Sequence, residues 1–281
     1  MNKTLTWILL GASLLQGGSC NPSQKPREST VSTLESAKNE TTCTFENKEQ
    51  LRAYLDQHIT PRTKKAAVAY DNMFGTNYSA NGIEIQWTIN NNQDYPHFYF
   101  DVEKHQLMIN YAPATDSDTY VKNMCTNQII PGWKFYKDTT LEFAEHETGH
   151  WYHDQFMRER GINTTWGNYD NPKDTQFRSA KLIHEGVACY LTTKLDPKQT
   201  QLGDPAYENK NPFVMLTKDP GMFYFWVYPA GERVVTPILD KDFQGGLADI
   251  SQNPPHDLSG HGLVVYQRRA VHTIKYEGRT K

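Results

Sequence analysis

Between Thr139 and Phe156 the chain reads TTLEFAEHETGHWYHDQF, and within it His146-Glu147-Thr148-Gly149-His150 has the form H-E-x-x-H. On a helix, residues four apart share one face, one turn apart. His146 and His150 therefore point the same way, and two imidazoles so spaced reach one Zn²⁺ at about 2.0–2.1 Å. Glu147 falls beside the ion, placed to touch a water on the metal rather than the metal itself. A catalytic zinc takes three protein ligands and keeps a fourth position open. A third ligand must therefore come from elsewhere in the chain.

Further along comes Ile183-His184-Glu185-Gly186-Val187-Ala188-Cys189-Tyr190. With its E-G-x-A-x-Y string, this stretch together with the H-E-x-x-H resembles the gluzincin metallopeptidases, whose third ligand is a glutamate on a following helix. The resemblance covers Thr139 to Leu191. It implies a zincin-like fold, Zn²⁺ held by His146, His150 and Glu185, Glu147 as general base, and hydrolysis of a peptide or protein substrate. Gly149 and Gly186 fit that picture as the places where the two helices come close enough to share an ion, since glycine removes the side chain in the way. Four residues after Glu185, where many members carry an acid that steadies a ligand histidine, this chain has Cys189. The steadying group is then expected among Glu142, Glu145 and Asp154. No G-x-M-E-N string, the aminopeptidase signature, is present.

Other residues are weighed against that reading. His153 shares the face of His146 and His150; as a fourth ligand it would close the site, and a supporting position is expected for it instead. His184, adjacent to Glu185, is expected to point away. His261 and Tyr266 are candidates for the donor that holds a developing oxyanion. Gln106–Tyr111 is expected to be a sheet edge to which substrate adds as a strand. The aromatic run Phe223–Tyr228 is expected to be a loop walling the cleft.

The elements around these residues follow from hydrophobic period. Phe45–His58 is helical, Pro61 interrupts, and a second helix runs from Thr63 to Met73. Ile83–Ile89 alternates as a half-buried strand, and His97–Val102 and Gln106–Tyr111 are two more, joined by a short turn at Glu103-Lys104-His105. A small antiparallel sheet is expected. The metal helix is expected to start at Asp138 or Thr139, with Thr139–Glu142 as a capping box, and to end before Gly161. A second long helix spans Gln176–Lys194, with shorter ones at Glu232–Leu239 and Phe243–Asn253. The fold class is α+β, with a small sheet, the site helix and a mainly helical remainder.

Met1-Asn2-Lys3, the short apolar run Trp7–Leu15 and Gly17-Gly18-Ser19-Cys20 form a signal pattern too short to span a bilayer as a mature helix. With a cysteine at the cleavage point it resembles a bacterial lipoprotein signal, although Gly17 stands where the usual leucine would. The expected layout is a signal over 1–20, a tether over 21–42 too polar to fold, and the catalytic domain over 43–281. This implies export to a bacterial envelope, anchored by a lipid on Cys20, or else plain secretion. Of the remaining cysteines, Cys43 with Cys125 is the expected disulfide, since export permits one and Cys189 falls in a buried helix. A net charge of −3 over 281 residues, with only a locally basic tail, argues against a nucleic-acid partner. A monomer is expected. Two rivals stand beside the peptidase: a non-catalytic binding lipoprotein with a structural zinc, and a zinc hydrolase of another amide or ester.

Overall fold

The computed structural model describes residues 45–91, 96–125, 133–162, 173–199, 210–218 and 223–277, without the side chains of 123–142 and 274–277. The expected signal, the tether and the Cys43–Cys125 pairing lie outside the described residues. Among the described residues no helix is long and apolar enough to cross a membrane.

The first helix, α1 (Lys48–Phe74), starts at Asn47, whose side chain accepts from Gln50 N, and stops at Gly75, in the left-handed conformation at φ 68°. It runs through Pro61 without ending there, against the expectation of two helices. An interior proline costs about 3 kcal/mol. Here both halves are anchored by packing. Leu51, Leu55 and Ile59 enter one apolar cluster; Ala66, Ala67, Tyr70 and Phe74 enter another. Pro61 sits at the junction of the two. Asp71, near the carboxyl end, accepts from Tyr152 Oη at 2.9 Å, Thr76 Oγ1 at 2.8 Å and the backbone N–H groups of Tyr78 and Ser79.

A single-turn α2 (Tyr78–Asn81) leads to the sheet, β1 (Ile85–Ile89), β2 (His97–Asp101) and β3 (Gln106–Ala112). The order is β1-β3-β2. The β2–β3 hairpin is antiparallel as expected, with Phe98 opposite Ile109 and Phe100 opposite Leu107. β1 instead pairs parallel to β3. The sheet is mixed, not wholly antiparallel, and β3 is its centre, not its edge. Burial explains the order. β3 is buried over nearly its whole length, while β1 is only half-buried. The most apolar strand takes the position covered on both sides.

After α3 (Ser117–Cys125) comes the site helix, α4 (Trp133–Glu159). It begins earlier than the expected Asp138 or Thr139, so Thr139 is an interior residue and not a cap; the side chains of Thr139 and Glu142 lie outside the description. It ends before Gly161 as expected. Gly161 has φ 63°, and Ile162 N–H donates to Met157 O at 2.9 Å, a glycine-based stop. α4 carries Ala144 into the sheet-side cluster and Tyr152, Phe156 and Met157 into the helical one. The histidine pair thus lies where the two clusters meet.

α5 (Thr175–Leu195) is capped by Asp174, which accepts from Phe177 N. It is followed by α6 (Pro212–Lys218), α7 (Phe223–Leu239), α8 (Phe243–Gln252) and α9 (Gly260–Glu277). The aromatic run Phe223–Tyr228 is therefore the start of α7, not a loop. The glycines divide the packing differently from the expectation. A Cβ on Gly149 of α4 would stand 3.3 Å from Ala188 Cα of α5, so this glycine does serve the approach of those two helices. A Cβ on Gly186 would stand 2.5 Å from the carbonyl carbon of Gly231 on α7. Gly186 thus serves the contact of α5 with α7, on the side away from α4. The result is a mixed α+β architecture, mostly helical with one small sheet.

Candidate metal centre

His146 and His150 lie one turn apart on α4, with ring centroids 4.6 Å apart and planes at 89°. Both are buried, and both turn Nε2 toward α5. There Oε2 of Glu185 lies 3.0 Å from Nε2 of His146 and 3.2 Å from Nε2 of His150. Two ring nitrogens and one carboxylate oxygen at these separations match the edges of a tetrahedron around a zinc ion, which bonds of about 2.0–2.1 Å set at roughly 3.3 Å.

A second carboxylate flanks the pair. His146, Glu147 and His150 offer ligand atoms all within 4.8 Å of one another, and this group can hold a metal ion. Glu147 is only half-buried, and its Oε2 accepts from the backbone N–H of Phe100 at 2.7 Å. Glu185 is 2% exposed and is held by groups of α4 and α5 instead. The two acids line one cleft but differ in burial and support: Glu147 is half-buried and tied to the sheet, Glu185 is buried against the imidazoles.

Charge balance at Glu185 comes from Lys181, one turn earlier on α5, whose Nζ pairs with Oε1. Burial by itself would raise the Glu185 pKa. The ammonium of Lys181 and the two imidazoles outweigh that and hold the carboxyl well below its usual range. Burial likewise works to lower the Lys181 pKa, and Glu185 outweighs it, leaving the amine raised. Burial lowers His150, keeping it the neutral ligand form. The donor set, two imidazoles and an anionic oxygen, suits a borderline divalent ion such as zinc.

Cys189 occupies the place expected of an acid. Its Sγ lies 4.0 Å from Nδ1 of His146, so the group beside that histidine is a thiol. None of the described alternatives takes the role. Asp154 is turned to Nδ1 of His105 at 3.0 Å, and Glu145 to Nη1 of Arg62 at 3.6 Å. The side chain of Glu142 lies outside the description. Burial pushes the Cys189 thiol well up, so it stays protonated.

His184 does not point away. Its ring stacks on His150 at 4.0 Å with a 12° tilt, and on its other side it faces His153 at 5.3 Å. His153 is no ligand of this group: its Nε2 meets Ser251 Oγ at 2.8 Å, and burial pushes its pKa down to about 3. Three imidazoles are thus layered from the metal site toward α8.

A cleft of about 110 Å³ opens on the site, walled by Tyr99, Phe100 and Val102 of the sheet side, Glu147, Lys181 and Tyr228. The edge beside it is β2. His261 and Tyr266 do not line it; they border a separate depression with Asp257 and Arg269. The phenol in the cleft is Tyr228, its ring 5.8 Å from that of His146. Sequence reasoning missed Lys181 and Tyr228 as single residues. Lys181 had a legible signal, since it lies four residues before Glu185 on one helix face. Tyr228 lies within the aromatic run expected to wall the cleft, but the helix that aims it was not expected. No family model, no curated protein and no solved structure matches the chain.

Proposed function

We propose that the chain is a zinc-dependent peptide hydrolase of the gluzincin type, with His146, His150 and Glu185 as ligands and Glu147 as general base. The observation that carries this is the meeting of Glu185 Oε2 with both imidazole Nε2 atoms at 3.0 and 3.2 Å. A zinc ion in such a set acts as a Lewis acid and acidifies water to a pKa of about 7.

The chain's own residues supply the rest. Glu147 takes a proton and returns it to the leaving amine. Its Oε2 is tied to Phe100 N–H, which leaves Oε1 for the proton traffic. Tyr228 donates to the oxygen on which charge develops; it takes the role expected of His261 or Tyr266. The outer edge of β2, not β3, receives the substrate backbone, because Phe100 N–H turns outward from β3. Phe100 and Tyr228 narrow the cleft and exclude water. The amino-terminal pattern supports export and a lipid anchor on Cys20.

Closure of a structural zinc by His153, one form of the rival reading, is disfavoured by the engagement of His153 with Ser251. The deciding experiment measures zinc stoichiometry and peptide-library cleavage on the same protein. One zinc per chain with cleavage is the expected result. Tight zinc binding without cleavage of peptides, amides or esters would overturn the catalytic reading.

A further inference from the structure

Two successive residues of α5 grip His150, one at the edge of its ring and one on its face. Glu185 Oε2 meets the edge, 3.2 Å from Nε2. His184 covers one face, with ring centroids 4.0 Å apart and planes tilted by 12°. A nitrogen held at one corner does not fix the plane of a ring. In a ligand histidine that plane is ordinarily set by a hydrogen bond from the second ring nitrogen. Nδ1 of His150 is buried and meets no hydrogen-bond partner among the described residues. The face contact is therefore the restraint that remains. It is itself backed: His153 lies on the other side of His184, centroids 5.3 Å apart and planes at 28°. The ring of His153 is held in turn by Ser251 Oγ of α8, 2.8 Å from its Nε2. All three rings and the serine are buried. His184 thus slots between two rings of α4 three residues apart, and neither neighbour has room to turn freely.

We propose that His184 is a positioning residue for the metal: lying flat on His150, it sets the plane of that ring and so the direction in which Nε2 offers its lone pair. This role rests on the zinc reading above. An imidazole binds a metal through a lone pair in the plane of its ring, so a tilted ring aims that pair away from the ion. His184 acts here as a flat surface and not through either of its nitrogens. Near-parallel stacking of planar rings supplies the restraint. A side chain of similar bulk without a plane fills the space and leaves the ring of His150 free to tilt.

The test compares the full wild-type chain with His184→Phe and His184→Leu, using Zn²⁺ and Co²⁺ alone as probes. Phe keeps a flat ring and offers no nitrogen; Leu offers neither. His184→Phe is expected to bind zinc within about threefold of wild type and to keep the visible spectrum of the cobalt form. His184→Leu is expected to bind zinc about tenfold or more weakly, with a changed cobalt spectrum. Melting of the metal-free forms checks that both variants fold. Affinity and spectrum of His184→Leu equal to wild type overturn the role. So does a folded His184→Phe as weak as His184→Leu, which would make a nitrogen of His184 the group required. A second measurement needs no substitution and decides the matter where a variant does not fold. In the metal-free wild type, the ring protons of His184 are expected upfield of an exposed histidine's, shifted by the rings on both faces. Their absence from that position overturns the contact and the role. Failure of the wild type to bind either ion sinks the zinc reading and this role with it, whereas equal binding by all three proteins sinks this role alone.

Discussion

The backbone N–H of Phe100 donates to Oε2 of Glu147 over 2.7 Å, so the outer strand of the sheet holds the half-buried acid of the cleft. The sheet edge and the proposed general base are one unit. In Glu147→Gln the amide oxygen can accept the same bond. Zinc content and melting temperature are therefore expected to stay near wild type, while turnover falls about 10²–10⁴-fold. Metal analysis beside steady-state kinetics checks this; turnover within tenfold of wild type would remove Glu147 from the mechanism.

Lys181 and Glu185 make opposite predictions for metal and fold. Glu185→Ala removes a proposed ligand, and zinc affinity is expected to collapse. Lys181→Met leaves Glu185 buried without its neutralising partner, so the metal-free protein loses on the order of 2 kcal/mol, less than a fully buried pair because Lys181 keeps some solvent contact. A dication replaces that lost charge, so zinc is expected to bind Lys181→Met at least as tightly as wild type. Thermal unfolding with and without zinc shows this as a wider gap between the two melting temperatures. An unchanged gap would mean that the ammonium does not offset the carboxylate.

Tyr228 is the phenol in the cleft. Tyr228→Phe keeps the ring beside His146 and removes the donor. We expect kcat to fall about 10²–10³-fold with KM nearly constant, as for loss of one oxyanion donor. The same change at Tyr266 is expected to leave kinetics untouched, because that side chain borders a different depression.

Gly186→Ala tests the packing that carries Glu185. The new methyl would stand 2.5 Å from Gly231 backbone, and backbone cannot rotate aside. A loss of about 3 kcal/mol or more is expected, at the upper end for overpacking. Gly149→Ala meets Ala188 and Leu191 at 3.3 Å and should be milder. Denaturant titration of both variants ranks them; the reverse order would mean that α7 yields to Gly186→Ala more easily than α5 yields to Gly149→Ala.

Asp71 gives a pH dependence that does not involve the metal site. Burial works against its charge, but hydrogen bonds from Ser79, Thr76 and Tyr152 outweigh it and hold its pKa at about 2, against 3.8 for an unperturbed aspartate. The folded value is the lower one, so the stabilisation is present above pH 3.8 and lost as pH falls toward 2. It amounts to about 2 kcal/mol. Asp71→Asn should lower stability by about that much at pH 7 and flatten the acid limb of the stability curve between about pH 4 and 2. An acid limb as steep as wild type would refute the assignment.

The shared direction of His146 and His150 was legible from helical spacing, whereas Glu185 was legible only through the resemblance carried by its E-G-x-A-x-Y string. The hairpin of β2 and β3 was legible from alternation and a short turn. Strand order was not. β1 pairs with a strand separated from it by another, and that choice depends on which strand the helices cover, which alternation does not encode. Pro61 misled because a local rule met a helix anchored in two separate clusters. The aromatic run before Pro229 misled in the same way: flanking Gly and Pro suggested a loop, and burial of Phe223, Trp226 and Val227 made a helix of it. His184 sits next to Glu185 in sequence, which suggested a different face, yet its ring reaches across to lie flat on His150.

The backbone contact of Gly186 with Gly231 adjoins Glu185 on one helix, and Tyr228 precedes Gly231 by less than a turn on the other. Carboxylate and phenol are thereby riveted to a common frame and must travel together. Breathing of the cleft is left to the opposite bank, β2 and the tight bend at Val102–His105. Amide hydrogen exchange slower in α5 and α7 than in β2 would register that division of labour, and uniform exchange across both banks would contradict it.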